Sequence, residues 1–193
     1  MKLNVLRRLP TLPHECTRGM RLAIHQRMKL LEPSHLLADQ FRDLYSAECQ
    51  IILTSPELAT RATHPRLKRL FSDEEKAALG RKQLLRTIAE RRSFDLEGDL
   101  CLAMRGLIKG GNRHLDMAED NTVADLLIVA HFNRIKHYSI AGYGFALALA
   151  ECLEDRDSSM QLLRIVERDR SVIHALARIA ADVFDPCMAK LDR

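Results

Sequence analysis

Three carboxylates occupy positions where apolar residues are expected. Glu48, Glu74 and Asp169 each lie on the apolar face of a separate amphipathic segment. A carboxylate in a protein core is costly unless it pairs with a cation or binds a metal. One core carboxylate on each of several facing helices is the arrangement that builds a di-iron or di-manganese site in a helical bundle. These residues therefore indicate either a metal site or a set of buried ion pairs.

Two histidines could extend such a site. His131 lies on the predicted inner face of the third long segment, which also includes Phe145. His174 flanks the inner face of the fourth. Imidazole and carboxylate together suit iron, zinc or nickel, so both residues are candidate ligands beside the three carboxylates. The usual di-metal pattern also places Glu-x-x-His on two helices, and none of the four long predicted helices contains it. A hydrogen-bonded core histidine without a metal is the other interpretation.

The chain that must position these residues is predicted to be all-α. Of its 193 residues 47% are hydrophobic, yet Trp is absent and Gly and Pro are few, which favours helices over a sheet with many turns. Apolar residues at helical spacing predict four long helices and one short helix. The first begins at Ser34, and the others are expected at about 65–91, 96–108, 122–152 and 158–184.

Local residues predict where these helices begin and end. Ser34 is the expected N-cap of the first helix, and Pro56 is expected to kink or interrupt it near its end. Thr63 and His64 precede Pro65, which suits the first position of the second helix. The glycines at 110–111 predict the end of the short helix.

The N-terminal arm, residues 1–34, carries most of the positive charge. Seven Lys or Arg against two acids give it a net charge of +5, although the whole chain has only +4. It is predicted to hold a short helix at 17–31 and could meet nucleic acid, although an ordinary solvated segment is the alternative. The predicted domain plan is this arm, a bundle at 35–185 and a tail at 186–193.

Five scattered cysteines, at 16, 49, 101, 152 and 187, contain no Cys-x-x-Cys pair. They exclude a disulfide framework and a common zinc motif, and they suit a reducing cytoplasm. No run of about 18 apolar residues predicts a membrane span, and the N-terminus lacks the apolar run of a signal peptide.

Four sequence blocks resemble the YciE/YciF-like family of ferritin-like proteins. They are QFRDLYSAE (40–48), HPRLKRLF (64–71), AMRGLIKGG (103–111) and HYSIAGYG (137–144). The resemblance covers about residues 35–182. It implies a ferritin-like four-helix bundle with an extra short crossing helix, often dimeric, linked to bacterial stress responses and of poorly defined activity.

The resemblance also implies that several metal-binding acids of the family are replaced. Glu48 and Asp169 are retained, whereas the second-helix acid falls on Ala77 and its following His or Gln on Arg81. The usual E-H-Y-E of the third helix reads KHYS at 136–139, and the second acid of the fourth helix falls on Ile173.

Two divalent ions need several carboxylates to balance four positive charges, and these replacements leave only two or three. We therefore expect Arg81, together with Lys136, to neutralise Glu48 and Asp169 in place of metals. The alternative is that both long side chains extend outward to solvent and contact no core acid.

Three functions are compatible with this sequence. The first, which we favour, is a non-enzymatic, metal-free protein of the YciE/YciF type that acts as a structural or stress-related interaction module, as a homodimer. The second is a metal-dependent oxidoreductase or peroxidase-like protein with an altered Fe or Mn site at Glu48, Glu74, Asp169, His131 and His174. The third is a nucleic-acid companion that uses the basic arm.

Overall fold

The computed structural model describes residues 30–96 and 100–191, with side chains described as far as residue 184. This part of the chain contains five α-helices and no strand: α1 Pro33–Arg61, α2 Pro65–Arg91, α3 Leu102–Leu115, α4 Asn121–Cys152 and α5 Arg156–Leu191. The predicted all-α bundle of four long helices and one short helix is confirmed. Within the described residues, none of the helices combines the length and the apolar content that crossing a membrane requires.

Most of the predicted N-terminal arm lies outside the described residues, and so do its predicted helix and its nucleic-acid contact. Leu30 and Leu31 are described and are not helical. At the other end, the backbone of α5 continues to Leu191, well beyond the predicted end at residue 184. Most of the segment predicted as a separate tail is therefore part of the last long helix.

The four long helices form two antiparallel pairs, α1 with α2 and α4 with α5, and α1 also packs along α4. The remaining side, between α2 and α5, is the most loosely packed, and α3 lies mainly against α4. One apolar cluster surrounds the edge-to-face pair of Phe71 and Phe132, whose ring centroids are 4.9 Å apart. A second cluster surrounds Phe41 and Tyr143.

The predicted start of α2 is confirmed, since Pro65 is its first residue and His64 is its N-cap. The N-cap prediction for α1 is wrong by two residues, because the helix begins at Pro33 and Glu32 precedes it. Pro56 does not interrupt α1, which continues to Arg61. The turn after Pro56 is held by packing, as Leu58 is completely buried.

The short helix differs most from the prediction, because α3 runs from Leu102 to Leu115 and passes through both glycines. Gly111 faces α4, where a Cβ atom built on it would lie 1.9 Å from Nδ1 of His131. Glycine is therefore needed at this position for close helix packing and does not end the helix.

The buried face of α4 is also rotated from the predicted one. Phe145 was expected in the core but is 46% exposed, whereas Tyr143 and Ala146 are completely buried. Because α4 contacts α1, α3 and α5, it is apolar around most of its circumference, and a single inner face is hard to identify from spacing.

Candidate functional site

Arg81 forms the centre of a buried charge cluster. Its Nε lies 2.8 Å from Oε1 of Glu48 on α1, and its Nη2 lies 2.5 Å from Oε1 of Glu74 on α2. Its Nη1 lies 3.6 Å from Oδ1 of Asp169 on α5. One guanidinium therefore reaches a carboxylate on each of three helices.

Lys136 supplies the second cation, from α4. Its side chain is completely buried, with Nζ 2.8 Å from Oε1 of Glu74 and 2.5 Å from Oδ1 of Asp169. All four long helices thus contribute a charged side chain to one place in the bundle. We call Glu48, Glu74, Arg81, Lys136 and Asp169 the central charge cluster.

Helical spacing explains how the sequence places these residues. Glu74 and Arg81 are seven residues apart, which is close to two turns, so they share one face of α2. The apolar residues on either side belong to different clusters: Phe71 and Ala78 to the first, and Leu85 to the second. The central charge cluster therefore lies between the two apolar halves of the bundle.

Charges in this cluster shift one another's protonation. Burial raises the pKa of Glu74, but Lys136 and Arg81 outweigh this effect and hold it below the ordinary value. Burial also opposes a charged Arg81, yet the three carboxylates keep its pKa well above the ordinary value. Arg81 is therefore a charged partner and not a neutral base.

The pKa of Asp169 is shifted in the opposite direction from that of Glu74. Burial raises its pKa, and the opposing effect of Lys136 and Arg81 does not fully offset this, so the pKa stays above the ordinary value. Three carboxylates face two cations, so one proton on Asp169 would make the cluster electrically neutral. The direction of its pKa agrees with this charge balance.

Tyr143 completes the cluster and was not predicted as a member. It is wholly buried, and its hydroxyl donates to Oε1 of Glu48 at 2.9 Å. Burial, reinforced by the Glu48 charge, raises its pKa well above the ordinary value, so the phenol remains a donor. Its spacing of seven residues from Lys136 was the signal that could have identified it.

The other two tyrosines have separate hydrogen-bond partners. The Tyr138 hydroxyl donates to Oδ2 of Asp43 at 2.6 Å and lies 3.0 Å from Sγ of Cys101. Burial raises the pKa of the Cys101 thiol to about 11, so it is not an activated nucleophile. Tyr45 accepts a hydrogen bond from Nη2 of Arg86 at 2.8 Å.

The predicted histidine ligands are not brought into this cluster. His174 is exposed on α5, so its assignment beside the inner face is wrong. His131 is buried, but its ring packs against Gly111 of α3. Burial, with Arg134 and Arg61 nearby, lowers its pKa to about 4. It is a neutral core residue on another side of α4.

The donor set does not fit a di-metal centre. The positions between the carboxylates are taken by the Arg81 guanidinium and the Lys136 ammonium, which repel a metal ion. Among the residues whose side chains are described, no group of three or more His, Cys, Asp or Glu is placed to hold a metal.

A fourth buried carboxylate, Asp125, was not identified from the sequence. It accepts hydrogen bonds from the backbone N–H groups of Thr63 and His64 at 2.8 and 2.9 Å, and from the Thr63 hydroxyl at 2.6 Å. It thereby ties the loop between α1 and α2 to α4. Its position on the apolar face of α4 was the available signal.

Comparison with known proteins assigns the family. Residues 32–186 match a domain of unknown function, DUF892. Protein YciF of Escherichia coli strain K12 is 29% identical over 147 residues, which are 76% of this chain and 86% of that protein. The crystal structure of the E. coli stress protein YciF has a TM-score of 0.77 at 25% identity, covering 81% of this chain and 99% of its own. YcfI of Rhodopseudomonas palustris, provisionally described as a structural protein, has a TM-score of 0.74 at 27% identity, covering 78% and 96%. The chain belongs to the DUF892 family and is a YciF-like protein.

Proposed function

We propose that this protein is a metal-free YciF-type bundle that acts as a structural or stress-related interaction module and not as an enzyme. The observation that carries the proposal is the central charge cluster. Arg81 and Lys136 lie within 2.5–2.8 Å of carboxylate oxygens on three helices, at the centre of the bundle.

The charge balance supports a metal-free centre. Arg81 and Lys136 already contribute two positive charges to a buried site with three carboxylates. Two divalent ions would add four more in a region of low dielectric, where uncompensated charge is expensive. Metal binding would require both cations to leave a site in which they are now buried.

The relatives support a non-catalytic role. The E. coli relative is described as a stress protein and the R. palustris relative, provisionally, as a structural protein. A homodimer in the cytoplasm is part of the same proposal. Free thiols at Cys101 and Cys152 suit a reducing compartment. Sedimentation velocity of the purified protein would test the dimer.

Metal analysis of the purified protein tests the metal-free centre. We expect much less than one Fe or Mn per chain after incubation with either ion and gel filtration, both for the native protein and for Glu48→Ala. One or more ions per chain, lost in Glu48→Ala, would instead support the metal-dependent oxidoreductase. His174→Ala is the matched control, because His174 is exposed on α5.

A further inference from the structure

The loosely packed side of the bundle, between α2 and α5, contains a groove. It consists of two adjoining concavities of ≈ 420 and ≈ 440 Å³, and Arg168 lines both. On α2 the lining extends from Arg66 to Leu84, eighteen residues apart, or about 27 Å at the helical rise. We call this feature the α2–α5 groove.

The rim of the groove is strongly basic. Within the described part of the chain, one exposed carboxylate, Asp73, and five exposed cations line it. The cations are Arg66, Arg69, Lys76, Arg164 and Arg168. Arg66 is engaged by Asp182. The other four have no ion-pair partner among the residues that the structure describes. The groove thus presents four unpaired positive charges.

The floor of the groove is mainly apolar, although Glu74 and Arg81 of the central charge cluster also line it. Partly or fully buried aliphatic side chains form most of it: Leu70, Val172, Ala175 and Ile179 in the first concavity, and Ala77, Leu84 and Ile165 in the second. A mainly apolar floor about four helical turns long, from Leu70 to Leu84 on α2, lies between two rows of cations. It is complementary to an amphipathic helix whose apolar stripe is flanked by acids.

We propose that the α2–α5 groove is the interaction surface of this protein, and that it binds an acidic amphipathic helix of a partner protein. The inference rests on the proposed function as an interaction module. Helix docking in an apolar groove supplies the affinity, and the charged rim selects acidic partners and accelerates their association.

Charge excludes two other occupants. A second copy in a two-fold symmetric dimer would place the same four unpaired cations opposite one another. The chain's own segment 1–34 has a net charge of +5 and would be repelled by the rim. Nucleic acid would meet the cations, but none of the described residues that line the groove has an aromatic side chain for stacking on bases.

A designed 18-residue peptide tests the proposal by fluorescence anisotropy on the full-length protein. One version places Leu on one helical face with Glu on both flanks, and a scrambled version keeps the composition. We expect the amphipathic version to bind roughly tenfold more tightly than the scrambled one, and more weakly as salt rises. Charge reversal in R164E/R168E should weaken binding at least tenfold.

The matched control is R156E/R170E, which changes the charge of α5 equally at exposed positions outside the groove. This variant should keep the affinity for the peptide within about twofold, because charges outside the groove should have small effects on binding. Equal binding of both peptides, equal losses in both variants, or tighter binding of single-stranded DNA or anionic vesicles would each overturn the proposal. Metal content is measured on the same sample, since bound metal would contradict only the metal-free centre. Failure to bind the peptide would contradict only the groove.

Discussion

At the scale of single residues, Arg81 connects more charges than any other described side chain, with partners on three helices. A buried ion pair is not always more stable than apolar residues of the same shape. Removing one member is a different change, because it leaves the remaining charges buried and uncompensated. The dependence of the bundle on Arg81 is therefore expected to be strong.

We predict that Arg81→Ala lowers the free energy of unfolding by about 3–5 kcal/mol. Without the Arg81 side chain, Glu48 keeps only its hydrogen bond from Tyr143, and Glu74 keeps only its ion pair with Lys136. Urea denaturation at neutral pH measures the change. Lys76→Ala, at an exposed position of the same helix, should stay within about 0.5 kcal/mol. Equal stability of Arg81→Ala and the native protein would show that the ion pairs do not support the fold.

His131 gives the molecule a distinct dependence on pH. Its pKa in the folded protein is about 4, below the ordinary value of 6.5, because burial disfavours the charged ring. The unfolded chain therefore binds more protons between these values. The contribution of His131 to stability is fully present above pH 6.5 and is lost as the pH falls towards 4.

We predict that His131→Gln flattens the decline of stability between pH 6.5 and 4, because glutamine does not titrate. The measurement is urea unfolding at several pH values, comparing slopes and not absolute stabilities. His174→Gln, at an exposed position, should keep the native slope. An unchanged slope in His131→Gln would mean that the ring does not titrate in this range.

At the scale of helices, the contact between α3 and α4 depends on one of two adjacent glycines. A Cβ at Gly111 would lie 1.9–2.2 Å from the His131 ring, whereas a Cβ at Gly110 would meet nothing within 4 Å. Substitutions at Gly110 and Gly111 can be compared directly, because the two positions are adjacent and both are helical.

We predict that Gly111→Ala destabilises the protein by about 1–3 kcal/mol through overpacking. Gly110→Ala should stabilise it by up to about 1 kcal/mol, because alanine is the better helix former. Thermal unfolding of both variants gives the comparison. If the two substitutions shifted the melting temperature in the same direction and by the same amount, close packing at Gly111 would be disproved.

The helices also show which local signals can be read from sequence. Pro65 correctly predicted the start of α2, because the preference of proline for the first helical position is local and does not depend on packing against other helices. The glycines at 110–111 were misread as a helix end, because sequence does not reveal that α4 approaches Gly111 so closely. Phe145 was misplaced because α4 has apolar residues on several sides.

At the scale of the whole molecule, the sequence predicted which residues belong to the site better than it predicted how those residues contact one another. Glu48, Glu74 and Asp169 stood out because charges are rare on apolar faces. Arg81 stood out because the family that the chain resembles has His or Gln there, and Lys136 because that family has an acid there. That both cations reach Glu74, and that Tyr143 donates to Glu48, depends on the relative rotation of the helices. His174 was misassigned for the same reason.

The central charge cluster and the α2–α5 groove are neighbouring parts of one structure. Glu74 lines the first concavity and Arg81 lines the second, so the groove reaches down to the cluster. The loose packing of α2 against α5 therefore leaves a binding surface directly above the buried charges. The ion pairs keep these two helices in register where few apolar contacts join them.

The central claim is that two cations occupy the place of metals, and crystals soaked in Mn²⁺ or Fe²⁺ test it most directly. Anomalous scattering at the metal edge would be measured at the centre of the bundle. We predict an Arg81 guanidinium between Glu48 and Asp169, the Lys136 ammonium beside Glu74, and no anomalous peak. A peak within ligand distance of Glu48 and Asp169, with Arg81 displaced, would contradict the claim.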